Sequence, residues 1–181
     1  MRKHQMTLIS DFYKQAHAEQ YPKGMNFIAS YFTPRMSRLS EENSLIVFGI
    51  QGFIKDYLIE RFNDTFFNVP LETILKEYER VIKHTLSHSY CEPNKIAELH
   101  SLGYLPIEIK ALKEGTKCPI KVPCIEITST KPGFEWVVQF IESIMSCQLW
   151  YPMTIANQAY KYRQIVNEYF EKTADDTAPR Y

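Results

Sequence analysis

Glycine is scarce in this chain: there are six in 181 residues, and they are scattered. That scarcity argues against a glycine-rich phosphate loop. The densest run, Gly49-Ile50-Gln51-Gly52, is followed by neither Lys-Ser nor Lys-Thr. There is also no Gly-x-Ser-x-Gly elbow to present a hydrolase serine. Net charge is missing too. Twenty-one basic residues face 21 acidic ones, which argues against a protein built to grip nucleic acid, a task needing surplus Lys and Arg. No run approaches the roughly 18 apolar residues of a membrane helix. The opening Met1-Arg2-Lys3-His4-Gln5-Met6 lacks the apolar centre of an export signal. The cysteines, at 91, 118, 124 and 147, include no closely spaced pair. The simplest reading is a reduced, cytoplasmic chain with buried thiols. The alternative, two disulfides in an exported protein, has no export signal to support it.

What is present is apolar and aromatic. The chain is 45% hydrophobic, with 12 Tyr, 11 Phe and 2 Trp, too apolar and too balanced in charge for disorder. A chain of this length buries roughly 70% of its unfolded surface on folding. With no repeat or linker, one unit over residues 1–172 and a polar tail over 173–181 are expected. Ser10 or Asp11 is placed to cap a short helix, and Tyr21-Pro22-Lys23-Gly24 reads as a turn. Phe27–Phe32 reads as a strand.

Val47, Ile50, Ile54, Tyr57 and Leu58 stripe one helix, and Leu71, Ile74, Leu75, Tyr78, Val81, Ile82 and Leu86 stripe the next. A third runs from Pro93 to Gly103. The period then changes to two over Leu105–Ala111 and again over Ile125–Thr128, giving two half-buried strands. Phe134–Met145 predicts a helix broken or kinked at Pro152, and a last helix follows to Lys172. The fold class is α+β, with a small antiparallel or mixed sheet packed against several helices. Three strands make a small sheet for this length, so either strands are missed or the sheet is completed from outside.

Candidate chemistry is sparse. His84 and His88 share a helix face near Cys91 and His100, a spacing compatible with zinc. No Glu follows His84 and no CxxC pair completes a site, so a solvated face is the simpler reading and no metal is expected. The segment Asp11–Pro22, with Ser30–Arg35 downstream, offers a carboxylate, an aromatic ring and cations near the chain start. Taken bare, it reads as a capped helix with satisfied surface polars.

Five blocks give that segment more meaning. Asp11-x-Tyr13-Lys14-x-x-His17-x-x-Gln20-Tyr21-Pro22 resembles the opening motif of nicotinamide phosphoribosyltransferases. So do Ser30-Tyr31-Phe32-x-x-Arg35, Phe48-Gly49-Ile50-Gln51, Leu105–Ala111 with Glu114-Gly115, and Ile141-Glu142-Ser143 with Trp150-Tyr151-Pro152. They occur in family order with similar spacing; the stretch from Asn63 to Gly103 is the least similar.

The resemblance implies the N-terminal domain of that family, whose homodimers make nicotinamide mononucleotide from nicotinamide and phosphoribosyl pyrophosphate. It implies that Tyr13 stacks on the nicotinamide ring of a partner's site and that Arg35 reaches the phosphates there. Asp11 and Lys14, in the same motif, are carried over as substrate-side residues expected to position the segment. The family uses Mg and ATP through an α/β barrel that follows the matched region, so no cofactor is expected on this chain alone. The expected partner is a barrel-containing chain or a full-length family member, without which the chain is inactive and exposes apolar patches. The rival reading is a non-catalytic module that regulates a full-length member; a fragment with no function of its own is the blandest alternative.

Overall fold

The computed structural model describes residues 4–38, 41–86 and 91–174. A 3-10 turn, Met6–Leu8, precedes a second 3-10 helix, Phe12–Ala16, which runs into α1, His17–Gln20. Strand β1, Ala29–Phe32, and strand β2, Ser44–Ile46, follow. Helix α2, Ile50–Phe53, widens into π-helical turns over Ile54–Arg61 and Asn63–Phe67. Next come α3, Leu71–Thr85, and α4, Pro93–Leu102. Strands β3, Ile107–Ala111, β4, Lys117–Pro119, and β5, Ile125–Ser129, lead to α5, Trp136–Phe140, and the long α6, Glu142–Thr173.

The strands form two small sheets, both antiparallel. One has the order β1-β5-β3, with Ile127 of β5 facing Ser30 on one side and Ile109 on the other. The other pairs β2 with β4, Leu45 opposite Cys118. The α+β class and the antiparallel sheet are as the sequence leads one to expect. Two strands were missed: β2 and β4 are too short to show a period-two pattern, and they form a second sheet, while the first keeps three strands with β1 and β3 at its edges.

One continuous core joins the sheets to the helices. Phe62 and Phe66, along the wide helical turns, belong to one buried cluster with Tyr78 and Ile82 of α3, Leu99 of α4, and Leu149 and Met153 of α6. Packing of this kind makes single truncations costly, about 3–5 kcal/mol for a buried Phe cut to Ala. Helices α3 and α4 end much as their apolar spacing implies, α4 on the left-handed Gly103.

Four local expectations need correction. Val47 is not helical: it exchanges backbone hydrogen bonds with Thr116 and Gly115, extending the β2–β4 pairing. The side chains of Ser10 and Asp11 do not cap the helix after them. Ser10 Oγ donates to the Phe140 carbonyl instead, and Asp11 turns to α6. Pro152 does not break α6, and the interruption falls earlier, at Ile141. The proline ring packs over Gly49, whose φ of +87° and lack of Cβ make room for it. Finally, not every cysteine is a buried thiol. Cys118 and Cys124 are buried, and burial pushes the Cys124 thiol up to about 11, but Cys91 is half-buried and Cys147 lies exposed on α6. Of the polar tail, residues 175–181 lie outside the described residues, as does His88.

Helix α6 is fixed to β2 through Glu42. Its carboxylate accepts from Lys161 Nζ at 2.7 Å and from Ser44 Oγ at 2.9 Å. The hydrogen bond from Lys161 holds the Glu42 carboxyl down at about 2, against the desolvation that would raise it. A carboxyl depressed in the folded state adds stability above its unfolded value, and that stability fades as pH falls toward the folded value. Lys161→Ala is therefore expected to cost roughly 1 kcal/mol at pH 7 and to flatten the loss of thermal stability between about pH 4.5 and 2. Melting curves across that range check both.

Candidate functional site

The opening motif is bound to the start of α6 by charge and hydrogen bonds. Lys14 is turned inward, its side chain only 2% exposed, and its ammonium is bound by Glu142, with Asp11 Oδ2 at 3.8 Å. Asp11 and Ser143 bond reciprocally. The Asp11 N–H donates to Ser143 Oγ at 3.0 Å, and that hydroxyl donates to Asp11 Oδ2 at 2.7 Å. Glu142 opens α6, where a carboxylate also meets the positive end of the helix dipole. Gln15, also buried, donates to the Thr7 carbonyl at 3.0 Å and holds the other side.

In a 3-10 helix neighbouring side chains stand about 120° apart, and Tyr13 lies outside the buried face that Lys14 and Gln15 form. Its ring is 59% exposed. It tilts against the His17 imidazole, centroids 5.1 Å apart, and the Lys14 ammonium lies 5.8 Å from its centre. His17 Nδ1 and the Tyr21 hydroxyl are enclosed there without a hydrogen-bond partner among the described residues. Burial, and then the Glu135 carboxylate, push the Tyr21 phenol up.

Arg35 lies apart from this group, in the loop after β1, three residues beyond the strand end. It is exposed and makes no ion pair or ring contact among the described residues. The loop is held by the Lys121 N–H, which donates to the Pro34 carbonyl at 2.7 Å. Helix α5 packs against both β1 and the 3-10 helix, so one element supports the segments carrying Tyr13 and Arg35. The structure thus gathers Asp11, Tyr13 and Lys14 together and leaves Arg35 on a separate segment.

Other blocks also meet in space. The Gln51 N–H donates to Glu114 Oε1 at 2.9 Å, so a carboxylate caps α2, while Gly49 of the same block sits under Pro152. Sequence reading missed Glu142 and Ser143 as anchors; the signal available was that Ile141-Glu142-Ser143 travels with the opening motif. Of the histidine set, His84 lies on α3 and His88 is outside the described residues. His100 Nε2 lies 2.8 Å from the Val69 carbonyl and its ring abuts Phe66, and no group of three or more candidate ligands occurs among the described residues. No helix among those residues is long and apolar enough to cross a membrane.

The fold is shared with phosphoribosyltransferases. A crystal structure of human nicotinic acid phosphoribosyltransferase superposes with a TM-score of 0.60 over 86% of this chain and 28% of that one, at 17% identity. The family model for the nicotinamide phosphoribosyltransferase N-terminal domain matches residues 5–109, and the chain belongs to that family. A nicotinamide phosphoribosyltransferase of Acinetobacter baylyi is 38% identical over 168 residues, 90% of this chain and 33% of that protein. One of Xanthomonas campestris is 28% identical, over 94% of this chain and 34% of its own length. The chain spans about a third of the length of these curated relatives.

The geometry separates anchor from presented ring. Glu142→Gln leaves the Lys14 ammonium in a buried place with a weaker partner and is expected to cost about 1–2 kcal/mol, less than a fully enclosed pair because Glu142 itself is half exposed to solvent. Tyr13→Ala is expected to change stability by no more than about 0.5 kcal/mol. Urea unfolding of the two variants beside the parent chain makes the comparison.

Proposed function

We propose that this chain is the N-terminal portion of a nicotinamide phosphoribosyltransferase and that it lends an aromatic face to a site whose reacting groups lie elsewhere. The observation that carries this reading is the contrast at the opening motif. Lys14 is buried and bound to Glu142, while the neighbouring Tyr13 ring is more than half exposed, with His17 and the Lys14 ammonium beside it. Folding gains little from that exposed ring, so its place in the motif is best explained by something it touches outside this chain.

In this reading Tyr13 stacks on nicotinamide bound in a partner's site. The electron-poor pyridine ring is flat, and offset stacking on a phenol is worth on the order of 1 kcal/mol. Arg35, without an ion pair among the described residues and on a loop held through Pro34, binds the phosphates of phosphoribosyl pyrophosphate there. A guanidinium does so through paired, charge-assisted hydrogen bonds that strengthen as pyrophosphate leaves. Asp11 and Lys14 fix the segment that carries Tyr13 and take no part in chemistry. Orientation of the ring and ribose is then this chain's contribution to the rate.

The remaining groups, together with the Mg and ATP that the family employs, belong to a barrel-containing partner, and contacts with that partner form a dimer-like assembly. The family model that matches is that of the N-terminal domain, which supports assigning the chemical step to another part of the enzyme. The exposed residues Tyr162, Ile165, Val166 and Tyr169, at helical spacing on α6, provide an apolar face for the assembly.

Reconstitution tests the proposal. The chain alone, given nicotinamide, phosphoribosyl pyrophosphate, Mg and ATP, is expected to form no mononucleotide. Adding a family-member fragment that lacks its own N-terminal third restores turnover. In that mixture Tyr13→Ala lowers turnover roughly fivefold and Tyr13→Phe retains it, the size expected for one stacked ring. Product from the chain alone, or full turnover with Tyr13→Ala, overturns the reading. A change in turnover of an intact family enzyme, with no rescue of the fragment, replaces it with a regulatory one.

A further inference from the structure

The backbone at Tyr13 is fixed by its neighbour. Lys14 is anchored on Glu142, and the Lys14 N–H donates to the Asp11 carbonyl at 2.9 Å. The Tyr13 side chain has less to hold it. Its ring is 59% exposed, and its hydroxyl makes no hydrogen bond to a described residue. An exposed aromatic side chain can turn among three staggered χ1 wells, and these point the ring in different directions.

His17 supplies what the backbone does not. Its imidazole stands against the Tyr13 ring, centroids 5.1 Å apart and planes tilted by 59°. Separation and tilt are those of a favourable aromatic pair. His17 is itself secured, because its N–H donates to the Lys14 carbonyl. The buried lysine therefore anchors both the ring-bearing residue before it and the histidine after it. His17 Nδ1 is enclosed without a hydrogen-bond partner among the described residues, and His17 joins no ion pair there. An enclosed polar atom without a partner costs stability, so the local fold would be served better by an apolar ring. The specific contact of the imidazole is with Tyr13.

We infer that His17 is a positioning residue: it holds the Tyr13 ring in one orientation and, through that ring, sets how tightly a flat ligand is bound. The inference rests on the stacking role proposed for Tyr13 and adds the means by which the ring is pre-organised. The size of the effect follows from the number of wells. Spreading Tyr13 over three orientations lowers the competent fraction, and with it the apparent affinity, by at most about threefold. At saturation the ligand holds the ring in place, so the rate there does not depend on His17.

Two measurements test this. In the full chain alone, NMR reads the two Hα–Hβ couplings of Tyr13. They are expected to be unequal in the parent, to converge in His17→Ala as the rotamers average, and to stay unequal in His17→Phe, which keeps a ring. In the reconstituted mixture, His17→Ala is expected to raise KM for nicotinamide by about two- to threefold with kcat unchanged, and His17→Phe to keep the parent KM. In a Tyr13→Ala background, His17→Ala is expected to change KM no further, since nothing is left to position. Averaged couplings in the parent, unequal couplings in His17→Ala, an unchanged KM in His17→Ala, or a KM effect that persists without Tyr13 each overturn the inference. If the mixture fails to turn over, or Tyr13→Ala leaves it intact, the stacking reading falls, and the couplings alone decide whether His17 orients the ring.

Discussion

A single buried ammonium sets the geometry of the candidate site. Lys14 costs free energy to remove from water, and it is tolerated only because Glu142 and Asp11 meet it. That requirement fixes the rotation of the 3-10 helix about its axis. With positions 14 and 15 turned inward, the third direction of the 3-10 turn is left to position 13, and the aromatic ring is exposed there. The same contact fixes where α6 starts, since its first residue supplies the counter-charge. Presentation of the ring and placement of the longest helix thus depend on one ion pair.

The blocks that resemble the family are joined in space as well as in order. The opening motif meets Glu142 and Ser143; Gln51 meets Glu114; Gly49 lies beneath Pro152. Each junction demands a particular residue. A Cβ on residue 49 would stand 3.1 Å from the proline ring, and the backbone there is left-handed. Glu114 is needed because the first N–H groups of a helix have no partner within it. Blocks far apart in sequence therefore keep one another's residue types in place.

Much of the fold was legible in the sequence, for identifiable reasons. Helices α3 and α4 carry long apolar stripes and clear stops, and β5 alternates over enough residues to show its period. Strands β2 and β4, three residues each, are too short for alternation to register, and their pairing rests on contacts such as Val47 with Thr116 that no local pattern encodes. Pro152 was misjudged because the rule against proline in helices is local, whereas its packing against Gly49 is tertiary. At the site, Tyr13 and Lys14 stood out through their motif, but the difference in their burial did not. Two adjacent residues with similar exposure on paper were separated only by the counter-charge waiting at position 142.

Helix α6 is 32 residues long, roughly 48 Å at an α-helical rise, and its buried residues end at Met153. Beyond Lys161, which grips Glu42, the helix runs on for about a dozen mostly exposed residues. Its direction is dictated at the root by Lys14, Pro152 and Lys161 together. A body joined to its last turn would inherit that direction, so a slight change of pitch near the ring at position 13 would be magnified into a displacement far from it.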